Sequence, residues 1–369
     1  MISFSKINPI GYGFGFGGTN AKNVEYTNKH KEALIFLIKN KLYNFIDTSP
    51  EYGNGKSETL IGSLPKKIKK KLFISTKVSP ENLNYNNFIK SVDMSLKRLD
   101  IDRVDVIQPH WPNYNVSNDE IISSFRFLKK KNKVRYFGLS NFELIDIKYF
   151  KNKMKSDFKF LQEEYSLIDK SIEEEKIKYC VNNNIKIICY SPLSSGNFLF
   201  NRIQKSLLSA LSDKYQVPFS SIILNYLIQK SNNLILIPHS TNKENISSNL
   251  NATNFKLAKT DISRLNDHFK INKTKIKLKN IIYYDQSYKK ITNLSEAIKN
   301  KFNLSPSPHQ LSKKIIQGAR LKPIKVRKRG KKFYLVEGRL RFWAYVIAYG
   351  WDYSINAILK NQINKNNLK

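Results

Sequence analysis

Between Gly11 and about residue 250 the chain repeats one pattern eight times: a short β-rich apolar run, then a stretch with apolar residues at helical spacing. The runs fall at 10–15, 43–47, 72–77, 104–110, 134–140, 158–163, 185–191 and 234–238. Near-continuous apolar runs suit strands covered on both faces, and a helical segment between successive strands makes them parallel. KHKEALIFLIKNK, NNFIKSVDMSLKRL, NDEIISSFRFLKKK and EEEKIKYCVNNN are such segments. Eight βα units predict an α/β protein closed into a (β/α)8 barrel. A doubly wound open sheet is the alternative. It would want a glycine-rich phosphate turn opening a helix, with an acidic partner about 20 residues on. The GYGFGFGG run at 11–18 has the glycines but lacks that context.

In a barrel every strand delivers its last residues to one mouth, so the strand ends carry the functional argument. The second run ends at Asp47 and leads into a turn with Pro50, Gly53 and Gly55 that carries Tyr52; the third ends at Lys77 and the fourth at His110. The fifth ends at Ser140 and Asn141, the sixth carries Gln162, and the seventh ends in YSPL, with Tyr190 and Ser191. Each has a plain structural reading: Asp47 as a turn cap, Tyr52 as a loop aromatic, Gln162 as a surface residue, Tyr190 as core. Their convergence on one mouth favours chemistry.

With 369 residues there is length for a barrel of about 250 residues and a smaller unit. Cys180 and Cys189 lie in apolar segments and read as buried thiols in a reducing compartment. The start has no basic segment followed by a long apolar run, and no stretch reaches about 18 apolar residues. The expectation is a soluble, cytoplasmic protein with no membrane partner. The formal net charge of +35 invites nucleic acid or acidic membranes as partners, yet Lys, Asn and Ile are heavy throughout, as in a chain under compositional drift. Residues 276–369 are denser in positive charge, with 21 Lys+Arg against 4 Asp+Glu.

Seven segments, FIDTSPEYGNGKSETLIG, ISTKV, VDVIQPHW, RYFGLSNF, FLQEEYSLI, CYSPLSSG and LIPHSTNKENISSNL, occur in the order and at the spacing of the aldo-keto reductases, which residues 1–270 resemble. The resemblance implies an NAD(P)H-dependent oxidoreductase that reduces an aldehyde or ketone, with a catalytic tetrad of Asp47, Tyr52, Lys77 and His110. It implies that Ser140, Asn141 and Gln162 hold the nicotinamide carboxamide, that Tyr190 stacks on the ring, and that Ser191, Leu193, Ser240 and Asn249 contact the cofactor. Trp111 would belong to the substrate wall, and the loop at 193–200 would cover the cofactor. No metal is expected. Many family members carry a lysine after the proline and a later arginine to grip a 2′-phosphate; His239 and Asn245 stand there instead. NADPH is the expected cofactor with NADH also admitted, and the helix start at 241–244 remains available for phosphate. The residue types fit carbonyl reduction: Tyr52 donates a proton, Lys77 lowers the phenol's pKa, Asp47 compensates the lysine's burial, and His110 orients the carbonyl.

A lysine-rich stretch at 271–280 reads as a basic linker. Residues 281–369 read as a small α+β domain: a strand near Ile281, helices at 292–302 and 309–317, a hairpin turning at Arg329–Gly330, and a helix beginning RLRFWAY. LKPIKVRKRGKKFYLVEGRLRFWAY resembles a ParB N-terminal-like domain, best over 318–350. Gly338, Arg339 and Arg341 at a strand-to-helix junction read as an anion site for a nucleotide or phosphorylated ligand. The alternative for the arginines is a solvated helix start. Trp343 and Tyr345 read as core. Few residues remain after Leu359 for a helix-turn-helix, which disfavours reading of DNA sites.

The chain thus reads as a carbonyl-reducing barrel with a phosphate-binding appendage, acting on a sugar or nucleotide-linked carbonyl. A redox-sensing nucleotide- or nucleic-acid-binding regulator, and a C-terminal nucleotide-dependent kinase or hydrolase, are the rival readings.

Overall fold

The computed structural model describes residues 4–15, 24–40, 43–196, 200–271, 273–283, 291–302, 304, 306–330 and 332–359. Eight strands, β1 (Tyr12–Gly13), β2 (Phe45–Asp47), β3 (Phe73–Val78), β4 (Val104–Pro109), β5 (Val134–Ser140), β6 (Phe158–Glu164), β7 (Lys186–Tyr190) and β8 (Leu234–Leu236), lie side by side in chain order. All seven pairings are parallel. The ring closes where Ile10 bridges Leu236, with Gly11 N donating to Leu236 O and Leu236 N to Pro9 O, both at 2.8 Å. Closure removes both sheet edges and rules out the open-sheet alternative. Part of the GYGFGFGG run, 16–18, lies outside the described residues.

Between and after the strands run α1 (Val24–Lys39), α2 (Lys56–Gly62), α3 (Lys66–Lys69), α4 (Tyr85–Leu99), α5 (Asn118–Lys130), α6 (Leu144–Met154), α7 (Lys178–Asn182), α8 (Arg202–Tyr215), α9 (Phe219–Ile228), α10 (Lys243–Asn251) and α11 (Lys259–His268). The α4 helix shows why they form. Asn84 caps it by accepting from Asn87 N, and Phe88, Val92, Leu96 and Leu99 bury one face at three- and four-residue spacing. Cys180 and Cys189 are buried in this packing. Burial pushes the Cys180 thiol up to about 12 and Cys189 well above its ordinary value, which leaves both as packing groups.

Period-two alternation then sorts side chains between the barrel wall and its interior. Ile46, Ile74, Ile107, Leu161 and Ile187 join the core under the helices. Phe45, Phe73, Val106, Phe160 and Ile188, one residue out of phase, form a second apolar cluster. Phe45 and Phe73 stack at 5.7 Å, and Phe73 and Phe160 approach to 5.6 Å. Two residues further along the same strands come Asp47, Ser75 and Gln162, then Lys77, all buried. An apolar floor thus lies beneath a polar layer, and strand direction decides which is which.

The chain divides into two compact units, one of 1–112, 116–142 and 147–269, the other of 113–115, 143–146 and 270–369. The second has a five-stranded sheet in the order β10-β12-β11-β13-β9, with β9 (Lys273–Lys277), β10 (Ile281–Ile282), β11 (Ile324–Arg329), β12 (Lys332–Glu337) and β13 (Ser354–Leu359). Helices α12 (Leu294–Lys299), α13 (Pro308–Ile316) and α14 (Arg339–Tyr349) complete it. The hairpin is present, with Arg329 opposite Lys332, and Trp343 is buried against Phe342, Ile324 and Val326. The 271–280 linker is corrected: β9 pairs antiparallel with β13 through Ile276 opposite Ile355. Four of its five residues are Lys or Thr with only Ile276 buried, so an exposed edge strand looks like a connector.

Candidate active site

The loop after β2 is shaped by backbone first. Gly53, Asn54 and Gly55 take positive φ in succession, at 61°, 53° and 86°, a run that L side chains other than Asn resist. Gly55 caps α2, which is pinned from beneath: Glu58 accepts from Thr76 Oγ1 at 2.6 Å and pairs with Arg98 Nε at 2.7 Å. Tyr52 is thereby held over the ends of β2 and β3.

Lys77 is the hub. Its Nζ lies 2.6 Å from Asp47 Oδ2, 2.8 Å from Thr48 O and 3.4 Å from Tyr52 Oη, with both charged partners about fully buried. Burial works against the ammonium, but Asp47 and then Tyr52 outweigh it, so Lys77 titrates above the ordinary lysine range. Tyr52 departs from expectation. Burial raises its phenol above the ordinary value despite the pull of Lys77, with Asp47 and Glu51 adding to the rise. Desolvating a phenolate is the larger effect here, so the Tyr52 phenol is held in its protonated form. His110 lies edge-on to Tyr52, ring centroids 5.7 Å apart. The four predicted residues meet.

Around them Gly13, Gly15, Trp111, Ser140, Asn141, Gln162, Tyr190, Ser191, Ile237 and His239 line the same cavity, of about 340 Å³. Asn141, at φ 64°, is fixed on three sides: its amide nitrogen donates to His110 O at 3.1 Å and Ser140 Oγ at 3.0 Å, and Tyr190 Oη donates to its carbonyl at 2.9 Å. Gln162 donates to Asp47 Oδ2 at 3.1 Å and accepts from Gln108. Trp111 is exposed at the rim and Leu193 packs on the barrel core; residues 197–199 of the expected covering loop lie outside the described residues. These amides, the Ser140 hydroxyl and the Tyr190 ring line the cavity directly beside the tetrad, joined to it by the Gln162–Asp47 and Asn141–His110 contacts.

The strand-eight end differs in detail from expectation. Helix α10 starts at Lys243, and the Asn242 side chain already accepts from Asn245 N at 2.8 Å. Ser240 Oγ accepts from Asn242 N at 3.1 Å, Asn249 is buried on α10, and His239 stacks on His30 at 5.1 Å with Nδ1 2.8 Å from Gly13 O. In the second unit Arg341 does not face an open anion site. Its guanidinium donates to Lys322 O at 2.8 Å and Pro323 O at 2.9 Å and approaches Glu337 at 3.4 Å, tying the start of α14 to the chain before β11. Gly338 caps that helix next to Arg339.

Two residues at the site were not anticipated. Gln108 sits two positions before His110 on β4, so strand periodicity alone would have found it. Glu51 contacts His110 with Oε2 2.9 Å from Nδ1, and nothing local signals that partner.

A family model described as the Aldo/keto reductase family matches residues 10–270. The chain belongs to the aldo/keto reductase family. Glyoxal reductase of Bacillus subtilis (strain 168) is 26% identical over 252 residues, covering 67% of this chain and 86% of that protein. NADH-specific methylglyoxal reductase of Escherichia coli (strain K12) is 24% identical over 271 residues, covering 61% and 82%. Among solved structures, the thermostable aldo-keto reductase Tm1743, in complex with epalrestat, superposes at TM-score 0.65 and 29% identity over 71% of this chain and 95% of that one. Bombyx mori aldo-keto reductase in complex with NADP shares the fold at TM-score 0.59 and 23% identity, over 71% and 89%. This aldo/keto reductase extends about a hundred residues beyond the matched region. Among the described residues no helix is long and apolar enough to cross a membrane.

Proposed function

We propose that the barrel reduces small aldehydes or ketones to alcohols with a nicotinamide cofactor. The observation that carries this is Lys77, buried between Asp47 at 2.6 Å and Tyr52 at 3.4 Å beside His110. When bound, the cofactor supplies hydride to the carbonyl carbon. The chain's own residues handle the oxygen. Tyr52 gives its phenolic proton to it, Lys77 offsets the charge then left on the phenolate, and His110 orients the carbonyl. Ser140, Asn141 and Gln162 hold the cofactor's amide, Tyr190 faces its ring, and Ser191, Leu193, Ser240 and Asn249 extend the contact. Both NADPH and NADH are admitted. Relatives named for NADP complexes and for NADH specificity support that breadth, and His239 and Asn245 offer no guanidinium fork for a 2′-phosphate. Reactive dicarbonyls such as those in the relatives' names are the first substrates to try.

For residues 281–369, a phosphate- or nucleotide-binding module remains the reading, supported by the charge of the segment. With Arg341 committed to backbone acceptors, the basic hairpin of β11 and β12 is the better place for it.

The test follows nicotinamide absorbance while glyoxal, methylglyoxal and keto-sugar nucleotides are added with each cofactor, beside Tyr52→Phe. Turnover reduced by at least about a hundredfold in the variant, with cofactor binding retained, is expected for loss of the proton donor. Turnover unchanged by Tyr52→Phe sinks the mechanism, and tight cofactor binding with no carbonyl turned over favours a sensor.

A further inference from the structure

Glu51 has no task in the reaction just described, yet its carboxylate is the acid against His110. Oε2 lies 2.9 Å from Nδ1, and Ser49 Oγ lies 3.4 Å from the same nitrogen. The other groups around the histidine come from neighbouring strand ends. They are the Tyr52 ring edge-on, Lys77 and Asp47 behind it, and the Asn141 amide bound to the His110 carbonyl rather than to its ring.

An ionised carboxylate only accepts, so the nitrogen facing Glu51 must carry hydrogen. Glu51 stays ionised: its hydrogen bond with His110 holds it below the usual carboxylate range, against burial, with further help from Ser79 and Lys77. Neutral imidazole has one N–H. With that hydrogen on Nδ1, Nε2 would turn a lone pair towards the cavity and repel a carbonyl oxygen. Only the doubly protonated ring satisfies Glu51 on one side and offers a donor on the other.

We propose that Glu51 is a positioning residue that holds His110 as an imidazolium, with its Nε2–H directed at the carbonyl oxygen. This rests on the reductase reading above. No proton leaves Glu51 or His110 in the step: the cofactor's hydride goes to carbon, the Tyr52 proton to oxygen, and the imidazolium remains a hydrogen-bond donor throughout. The consequence is a reductase that loses activity when rising pH strips the extra proton from the ring.

The full chain, labelled at its five histidines, is titrated by NMR from about pH 5 to 9, a window that spans the ordinary histidine value. The His110 signals are those missing from His110→Gln. The His110 midpoint is expected to lie at least about one pH unit lower in Glu51→Gln than in the wild type. At neutral pH kcat/KM is expected to fall about tenfold or more in Glu51→Gln, with the deficit narrowing as pH falls and Glu51→Asp recovering part of it. An unchanged His110 titration overturns the proposal, as does a loss of kcat/KM equal at every pH. If the wild type turns over no carbonyl, the reductase reading fails, and the NMR titration still decides the Glu51–His110 coupling. Glu51 is 41% exposed, and the substitution is expected to leave the fold intact.

Discussion

Replacing Asp47 by Asn tests the charge logic of the site most directly. The wild-type pair is buried on both sides, at 1% and 2% side-chain exposure, with Nζ 2.6 Å from Oδ2. Removing the anion leaves an ammonium whose remaining neighbours are Thr48 O at 2.8 Å and the Tyr52 hydroxyl. Breaking one side of a buried pair costs about 3–5 kcal/mol, and the two surviving acceptors place this case at about the lower end. The sign of the pH dependence reverses with the mutation. In the wild type Lys77 titrates above its ordinary value, so its contribution is present below about pH 10.4 and is lost as pH rises through the folded value. In Asp47→Asn only burial and weak acceptors act, and the folded pKa drops below the unfolded one. The unfolded chain then binds the extra proton, and stability rises with pH towards about 10. Urea unfolding followed by far-ultraviolet circular dichroism from neutral to alkaline pH reads both effects as midpoint shifts. A variant as stable as the wild type at neutral pH, with no gain on raising pH, would refute this account of the pair.

Gly62→Ala should destabilise the barrel by more than about 2 kcal/mol, because the new Cβ would lie 2.1 Å from Arg98 O, a backbone atom of α4; a urea midpoint within error of the wild type would contradict that packing. Arg341→Ala should cost the second unit about 1–3 kcal/mol by leaving the Lys322 and Pro323 carbonyls without their donor. Hydrogen exchange should accelerate in β11 and α14 while the barrel strands stay protected, and unaltered exchange would count against a structural role. Glyoxal turnover in that variant should match the wild type.

The barrel was legible because each strand is an apolar run ended by polar residues, and strand direction sends those ends to one mouth. Asp47, Lys77 and His110 could be read as a set for that reason, and the alternation that buries Ile46 and Ile74 in the wall was written in the same runs. β9 was not legible: KTKIK has one apolar residue facing a core built largely from later sequence, and its lysines mark a solvated edge. Arg341 shows the converse error. A guanidinium at a helix start looks like an anion fork until the chain before β11 brings two carbonyls to it.

Periodicity and strand ends, which are local properties of the chain, determined the eight-stranded architecture and brought Asp47, Lys77 and His110 to its mouth, while the resemblance of the motifs to the aldo-keto reductases singled them out with Tyr52 as a set of four. The protonation states of those residues belong to the tertiary structure. How far burial outweighs Lys77 at Tyr52, and which acid faces the ring of His110, depend on distances between segments far apart in the chain. Solvation and charge act through space, and only the closed barrel sets those distances.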